Sequence, residues 1–206
     1  SGSIWGKGDN ETINYLNSIK LKGNWLNLSA GDGRYSNLLL KKVSNLTAAD
    51  IDKSALSKLW SLTSRNNKKK LDISVFDINN KFPYPSNYFD GVFCTGTLHL
   101  FSKQKLTNHI FPEIKRIVKN RGRIIFDFAT DVKREINIKR MFIYPGEPKY
   151  KSNSTLKFLT GLFQSNKKTI LNFSIQDDLT NTPGVGYKFS CECFLFDILD
   201  QTNFRK

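Results

Sequence analysis

Between Asn24 and Phe128, short apolar runs alternate with segments of helical periodicity, and this alternation leaves the chain few folds to choose from. The runs are "GNWLNLS", "NLTAAD", "LDISVF", "FDGVFCT" and "GRIIFDF". Strands that are apolar on both faces and separated by helices pair in parallel, with helices covering both sides of the sheet. The expected class is α/β.

The intervening segments fit that scheme. One helix is expected from Arg34 to Lys42, and a second from Lys53 to Asn66 with Leu56, Leu59, Trp60 and Thr63 on one face. The run "NNKKK", Asn66 to Lys70, reads as a solvated turn that ends this second helix. A third helix carries Leu106, Ile110, Ile114, Ile117 and Val118 at helical spacing. Pro112 falls inside it, lacks a backbone donor, and predicts a kink or a late start.

The last third has a different period. "LNFSIQ" and "YKFSCECFLF" alternate apolar and polar residues, and the turn-rich "DDLTNTPGVG" joins them. They read as an antiparallel hairpin preceded by a helix from about Ser154 to Phe163. Cys191 and Cys193 share one side of a strand, where core packing is their ordinary role. Residues 129–152 are too long for a simple connection and are assigned as an insertion or lid. One domain is expected over 1–206: a core at 23–128, the insertion, and the helix and hairpin at 153–206.

A length of 206 residues suits one domain with a sizeable core. Three cysteines, an odd number without metal-ligand spacing, indicate a reduced, cytoplasmic setting and no metal site. No apolar run reaches the roughly 20 residues of a membrane span, and no signal peptide opens the chain, so no membrane partner is expected. The formal charge of +14 attracts polyanions and makes RNA or DNA a candidate partner. The basic residues are scattered from Lys7 to Lys206 rather than gathered, which favours compositional drift in a chain rich in Lys, Asn, Ile and Phe.

The first strand runs into a glycine turn, "NWLNLSAGDGRYS". Without Cβ atoms, Gly31 and Gly33 let a ligand approach the backbone, and the exposed N–H groups favour polar or negative atoms. Asp50 ends the next strand 17 residues after Gly33, about the spacing at which a carboxylate accepts from ribose hydroxyls. An adenosine-containing cofactor is indicated. The turn alone also fits a nicotinamide cofactor or a merely structural bend.

Further segments narrow the choice. "LNLSAGDGRYS", "AADIDKSAL", "VFDINNKFPYPSNYFDGVFCTGTLHLF" and "EIKRIVKNRGRIIFDF" resemble, in unbroken order, the motifs of class I S-adenosylmethionine-dependent methyltransferases of the broad small-molecule type. The resemblance implies a Rossmann-like three-layer sandwich, with a seven-stranded, mostly parallel sheet and an antiparallel terminal hairpin. It implies S-adenosyl-L-methionine as cofactor.

It also implies roles for particular residues. The backbone around Ser29, Ala30 and Gly31 would hold the methionine part, and Gly33 would allow the helix start to pack closely. Asp50 would take both ribose hydroxyls, with Ile51 against the adenine. Asp77 would accept from the adenine amine and the N–H of Ile78 would meet a ring nitrogen. Thr95 would lie beside the methionyl part and the reactive methyl. Asn27 stands where the family has a carboxylate that helps organise the cofactor's ammonium, and Ser29 where it has a glycine. A Ser is tolerated there if φ stays negative, since a Cβ in the left-handed region costs about 1 kcal/mol or more.

Methyl transfer from a sulfonium requires alignment and shelter from water more than a particular catalytic group, so no residue is assigned as catalytic. His99, at the mouth of the expected site, is the candidate base where the acceptor carries a proton. His109 is expected on the surface. The Asn-Pro-Pro-Tyr signature of amide or adenine nitrogen methylation is absent, and a small-molecule acceptor is preferred, covered by Ile4 to Lys7 and residues 129–152. The alternatives are an RNA methyltransferase and a non-catalytic cofactor-binding module.

Overall fold

The five apolar runs become parallel neighbours; four of them bury residues on both faces, and the third, "LDISVF", lies at the edge of the sheet with Ile73 and Val75 exposed. In the computed structural model, which describes residues 8–136, 140–141, 145–179, 181 and 186–199, they are β1 (Asn24–Leu28), β2 (Asn45–Asp50), β3 (Leu71–Val75), β4 (Phe89–Cys94) and β5 (Val118–Ile136). The two-residue β6 (Arg140–Met141), then β7 (Lys167–Leu179) and β8 (Tyr187–Leu199), complete the sheet. The path β3-β2-β1-β4-β5-β8-β7 has seven strands, the last two pairs antiparallel, and β6 joins the outer end of β5. The expected sheet and hairpin are present, with β6 as an addition.

Register sends alternate residues to two cores. Leu26, Val92, Ile124, Phe126 and Phe196 face one side, where the Phe126 and Phe196 rings stack at 5.0 Å. Trp25, Phe93, Ile125 and Leu195 face the other. Cys191 and Cys193 pack with Ala129 and Phe189 in a third cluster near the far end of β5, and all three cysteines are buried and free. Among the described residues no helix is long and apolar enough to cross a membrane.

The helices are α1 (Asn10–Ser18), α2 (Ser36–Leu40), α3 (Lys53–Leu62), α4 (Arg65–Lys68), α5 (Lys103–Lys105), α6 (Phe111–Ile117) and α7 (Ser152–Leu162). Four local features differ from expectation. The second expected helix breaks at Thr63, which is extended, and Ser64 then accepts from Asn67 N to start α4. Asn66 to Lys68 are therefore helical rather than a turn. Before Pro112 the helix that begins at Lys103 widens into a π turn, Leu106–Ile110, and continues as α6 with the proline in its first turn; the missing donor is accommodated by this widening rather than by a late start. Helix α1 was not foreseen, although Asp9 accepts from Thr12 N at 2.7 Å as an ordinary N-cap.

The fourth difference concerns residues 129–152. Residues 129–136 continue β5 beside β8 instead of leaving the sheet. At Asp131, φ is +50 and its carboxylate takes the N–H and hydroxyl of Ser152, tying the start of α7 to the strand. Part of the expected lid, and all of Ile4 to Lys7, lie outside the described residues.

Candidate functional site

The strand order reverses between β1 and β4, and a crevice opens at that point beyond the strands' carboxyl ends. A cleft of about 510 Å³ occupies it, with Asn27, Ser29, Ala30, Gly31, Asp50 and Thr95 on its wall. Six of the ten expected contact residues thus share one cavity. Arg34, Tyr35, Gly96 and Thr97 also line it.

The floor is pinned by Asp50. Its Oδ2 accepts from Gly31 N at 2.8 Å and its Oδ1 from Asp52 N at 2.9 Å, while Asp52 itself caps α3 by accepting from Ser54 and Ala55 N. A carboxylate oxygen has a second acceptor position, so Asp50 can still receive two hydroxyls from the cleft. Gly31 and Gly96 have φ of +55 and +70, and a Cβ built on either meets nothing within 4 Å. Both glycines therefore border open space, as a ligand-approach surface requires. Gly33 serves a different purpose: at φ +99 a Cβ would lie 2.2 Å from Leu59 Cδ1, so its bareness lets α3 pack against the turn.

Ser29 departs from the stated condition. Its φ is +60, inside the left-handed region where a Cβ is strained. Ser29→Gly is expected to raise stability by about 1 kcal/mol, read from the urea midpoint; an unchanged or lower midpoint would show that the hydroxyl offsets the strain. Asn27 is buried and donates from Nδ2 to Ser36 Oγ at 3.1 Å, so its amide holds the turn to α2.

The other expected contacts lie apart from this cleft. Ile51 is 66% exposed, an apolar side chain without cover. Asp77 accepts from Asn79 N at 2.8 Å and Asn79 Nδ2 at 3.0 Å, a self-contained turn. Ile78 is buried, and its carbonyl contacts His109 Nε2 at 3.1 Å. His109 also meets Asn80 O at 3.0 Å and packs edge-on to Phe82; it braces this turn and is half-buried rather than a surface residue.

His99 sits in a 3₁₀ turn, Leu98–Leu100, just past Thr97. It is buried, and burial, with Arg134 adding to it and Glu147 opposing, lowers its pKa to about 4. At neutral pH the ring is uncharged, and its Nδ1 has no hydrogen-bond partner. Arg134 and Glu147 form a deeply buried ion pair at 2.6 Å.

Two features escaped the sequence reading. Asp127, a lone acid within "GRIIFDF", is 8% exposed, and its Oδ1 accepts from Gly96 N at 2.7 Å. Asp32 pairs with Lys58 at 2.8 Å across the mouth of the cleft. Among the described residues no group of three or more His, Cys, Asp or Glu is placed to hold a metal.

A family model described as a methyltransferase domain matches residues 26–126, from β1 to β5. Over this span the chain is similar to that methyltransferase-domain family. The matched span of this domain contains the whole glycine floor, Asp50 and Thr95, and stops just before Asp127. Solved structures share its fold well beyond that span. Phosphoethanolamine N-methyltransferase 1 of Haemonchus contortus, solved with phosphoethanolamine and S-adenosylhomocysteine, has a TM-score of 0.63 at 11% identity, over 94% of this chain and 43% of that one. DhpI, solved as a complex with SAH, gives 0.57 at 17%, over 88% and 80%. The [4+2]-cyclase SpnF gives 0.63 at 15%, over 92% and 81%. No curated protein sequence matches the chain.

Proposed function

We propose that this domain binds S-adenosyl-L-methionine and transfers its methyl group to a small-molecule acceptor. The observation that carries the reading is the Asp50 carboxylate, fixed by two N–H groups beside a glycine floor that borders open space. The residues fit the cofactor: Asp50 would hold the ribose hydroxyls, Gly31 and Gly96 leave room at the backbone, and Thr95 lines the stretch between them. Exposed Ile51 offers an apolar surface for the adenine. The turn that holds Asp77 and Ile78 would have to approach the ligand from beyond this cleft.

When bound, the cofactor supplies a methyl group on a positively charged sulfur. The protein's share is alignment and exclusion of water. His99 is neutral at physiological pH, its Nδ1 is buried and it does not line the cleft, so no proton transfer is assigned to it. Complexes of the similar DhpI and phosphoethanolamine methyltransferase with SAH support the choice of cofactor.

Calorimetry with S-adenosylmethionine and S-adenosylhomocysteine tests the reading; both are expected to bind, and absence of binding by either at high concentration would overturn it. SpnF, a [4+2]-cyclase of similar fold, supports a second reading, in which this domain does not transfer methyl. Binding without labelled methyl transfer to any acceptor in a metabolite extract would favour it. RNA binding that falls steeply with salt would instead move the acceptor to nucleic acid.

A further inference from the structure

Asp127 lies one residue past the last β4–β5 pair, Cys94↔Phe126. By strand alternation it shares a face with Ile125, and so with Trp25, Asn27 and Phe93. Among the described residues Gly96 N–H is the hydrogen-bond partner of its carboxyl, through Oδ1. No Lys or Arg among them forms an ion pair with it. A buried carboxylate without a counter-charge is costly, and the other acids around the cleft are engaged: Asp32 by Lys58, Asp50 by two backbone N–H groups, Asp52 by the start of α3. β1 offers only neutral Asn27.

We propose that Asp127 seats the α-ammonium of the cofactor's amino-acid part, with Gly96 holding one carboxylate oxygen and the ammonium taking the other. The inference rests on the proposed function. Its geometry follows from the strand order: β2 and β5 are three strand spacings apart, about 14 Å. A hydrogen bond of about 2.8 Å at each end leaves about 9 Å between ribose hydroxyl and nitrogen. The chain from ribose through C5′ and sulfur to the α-carbon can extend over that gap.

The ionisation of Asp127 gives the idea a distinct signature. Burial raises its carboxyl to about 7; Gly96 N–H and Arg34 act in the opposite sense and Asp9 adds to the rise. A bound ammonium favours the carboxylate, so ligand binding below that pH expels a proton. The other groups facing Asp127 are Asp9, Arg34 and Tyr35 on one side and Cys94, Cys191 and Cys193 from β4 and β8. Burial raises the tyrosine and all three thiols, away from neutral pH.

The test compares S-adenosylhomocysteine with 5′-methylthioadenosine, which lacks the amino-acid part, by calorimetry at pH 6 and pH 8. Asp127→Asn keeps an oxygen for Gly96 and removes the charge. It is expected to weaken S-adenosylhomocysteine at least tenfold at pH 8 and leave methylthioadenosine unchanged. Wild type should bind S-adenosylhomocysteine several-fold more tightly at pH 8 than at pH 6, and the variant equally at both. Equal losses for the two ligands, no loss for either, or a pH response that survives in the variant would overturn the assignment. Failure of wild type to bind either ligand would count against the proposed function itself.

Discussion

Asp50→Ala is expected to weaken S-adenosylhomocysteine binding about 100-fold and to remove nearly all ligand-induced thermal stabilisation. Two hydrogen bonds from hydroxyls to a charged acceptor, at about 1.5 kcal/mol each, give about 3 kcal/mol, and each 1.4 kcal/mol is tenfold in affinity. At a ligand concentration 100 times the wild-type Kd, stabilisation would fall from about 2.7 kcal/mol to about 0.4 kcal/mol. A second effect reinforces the first. In the free protein Asp50 already accepts from Gly31 and Asp52 N–H, so Ala also releases the glycine floor, at a further cost of about 1–2 kcal/mol in folding stability. Asp50→Asn separates the two, because its remaining oxygen can still hold one of those N–H groups. A melting shift in Asp50→Ala equal to that of wild type would refute the ribose assignment.

The parts of this site that could be read from sequence are those set by local chemistry. Five apolar runs, the glycine turn and the acid ending the second strand indicate parallel pairing and the place of the cleft, because strand burial and turn conformation depend on near neighbours; the order of the strands does not follow from them. The long β5 was hidden for a physical reason. Alternation is interrupted by a register shift between Thr130 and Lys133, where Asp131 takes a left-handed φ. The partner that keeps "TDVKREI" in the sheet, β8, lies some 60 residues away in sequence, for example at Glu192 opposite Thr130.

Asp77 shows the opposite case. Its motif context pointed to adenine, yet the side chain two residues on, Asn79, satisfies one of its oxygens within the turn. Asx turns of this kind compete with ligands for the same acceptor, so motif position alone does not say which one the carboxylate serves. Ser29 likewise could not be judged from sequence, since the sign of φ at a non-glycine residue is decided by the surrounding turn. Asp127 was legible only as an anomaly: one acid in an apolar strand run, whose burial depends on β4 and β8 together.

That burial leads to the other large effect, which concerns stability rather than binding. The carboxyl of Asp127 has a folded pKa of about 7, against about 3.9 unfolded. The folded state therefore holds this proton more tightly than the unfolded state. The stability linked to it is fully present below about pH 4 and is lost as pH rises through 7. A difference of about 3 units, at about 1.4 kcal/mol each, amounts to about 4 kcal/mol when Asp127 is fully ionised. Asp127→Asn removes the titration while keeping the bond to Gly96, so without ligand the variant should be more stable than wild type at pH 8, by roughly 10 °C in Tm for a domain of this size. The advantage should shrink by more than half at pH 5, where most of the wild-type acid is protonated. Thermal melts at the two pH values check this, and an advantage of the same size at both would show that the carboxyl is not buried in its charged form. Saturating S-adenosylhomocysteine should narrow that advantage at pH 8, by about 1.4 kcal/mol for each tenfold difference in affinity, because only wild type gains a counter-charge on binding. A protein that keeps an unpaired acid here then loses free-state stability in exchange for selectivity toward a cationic ligand.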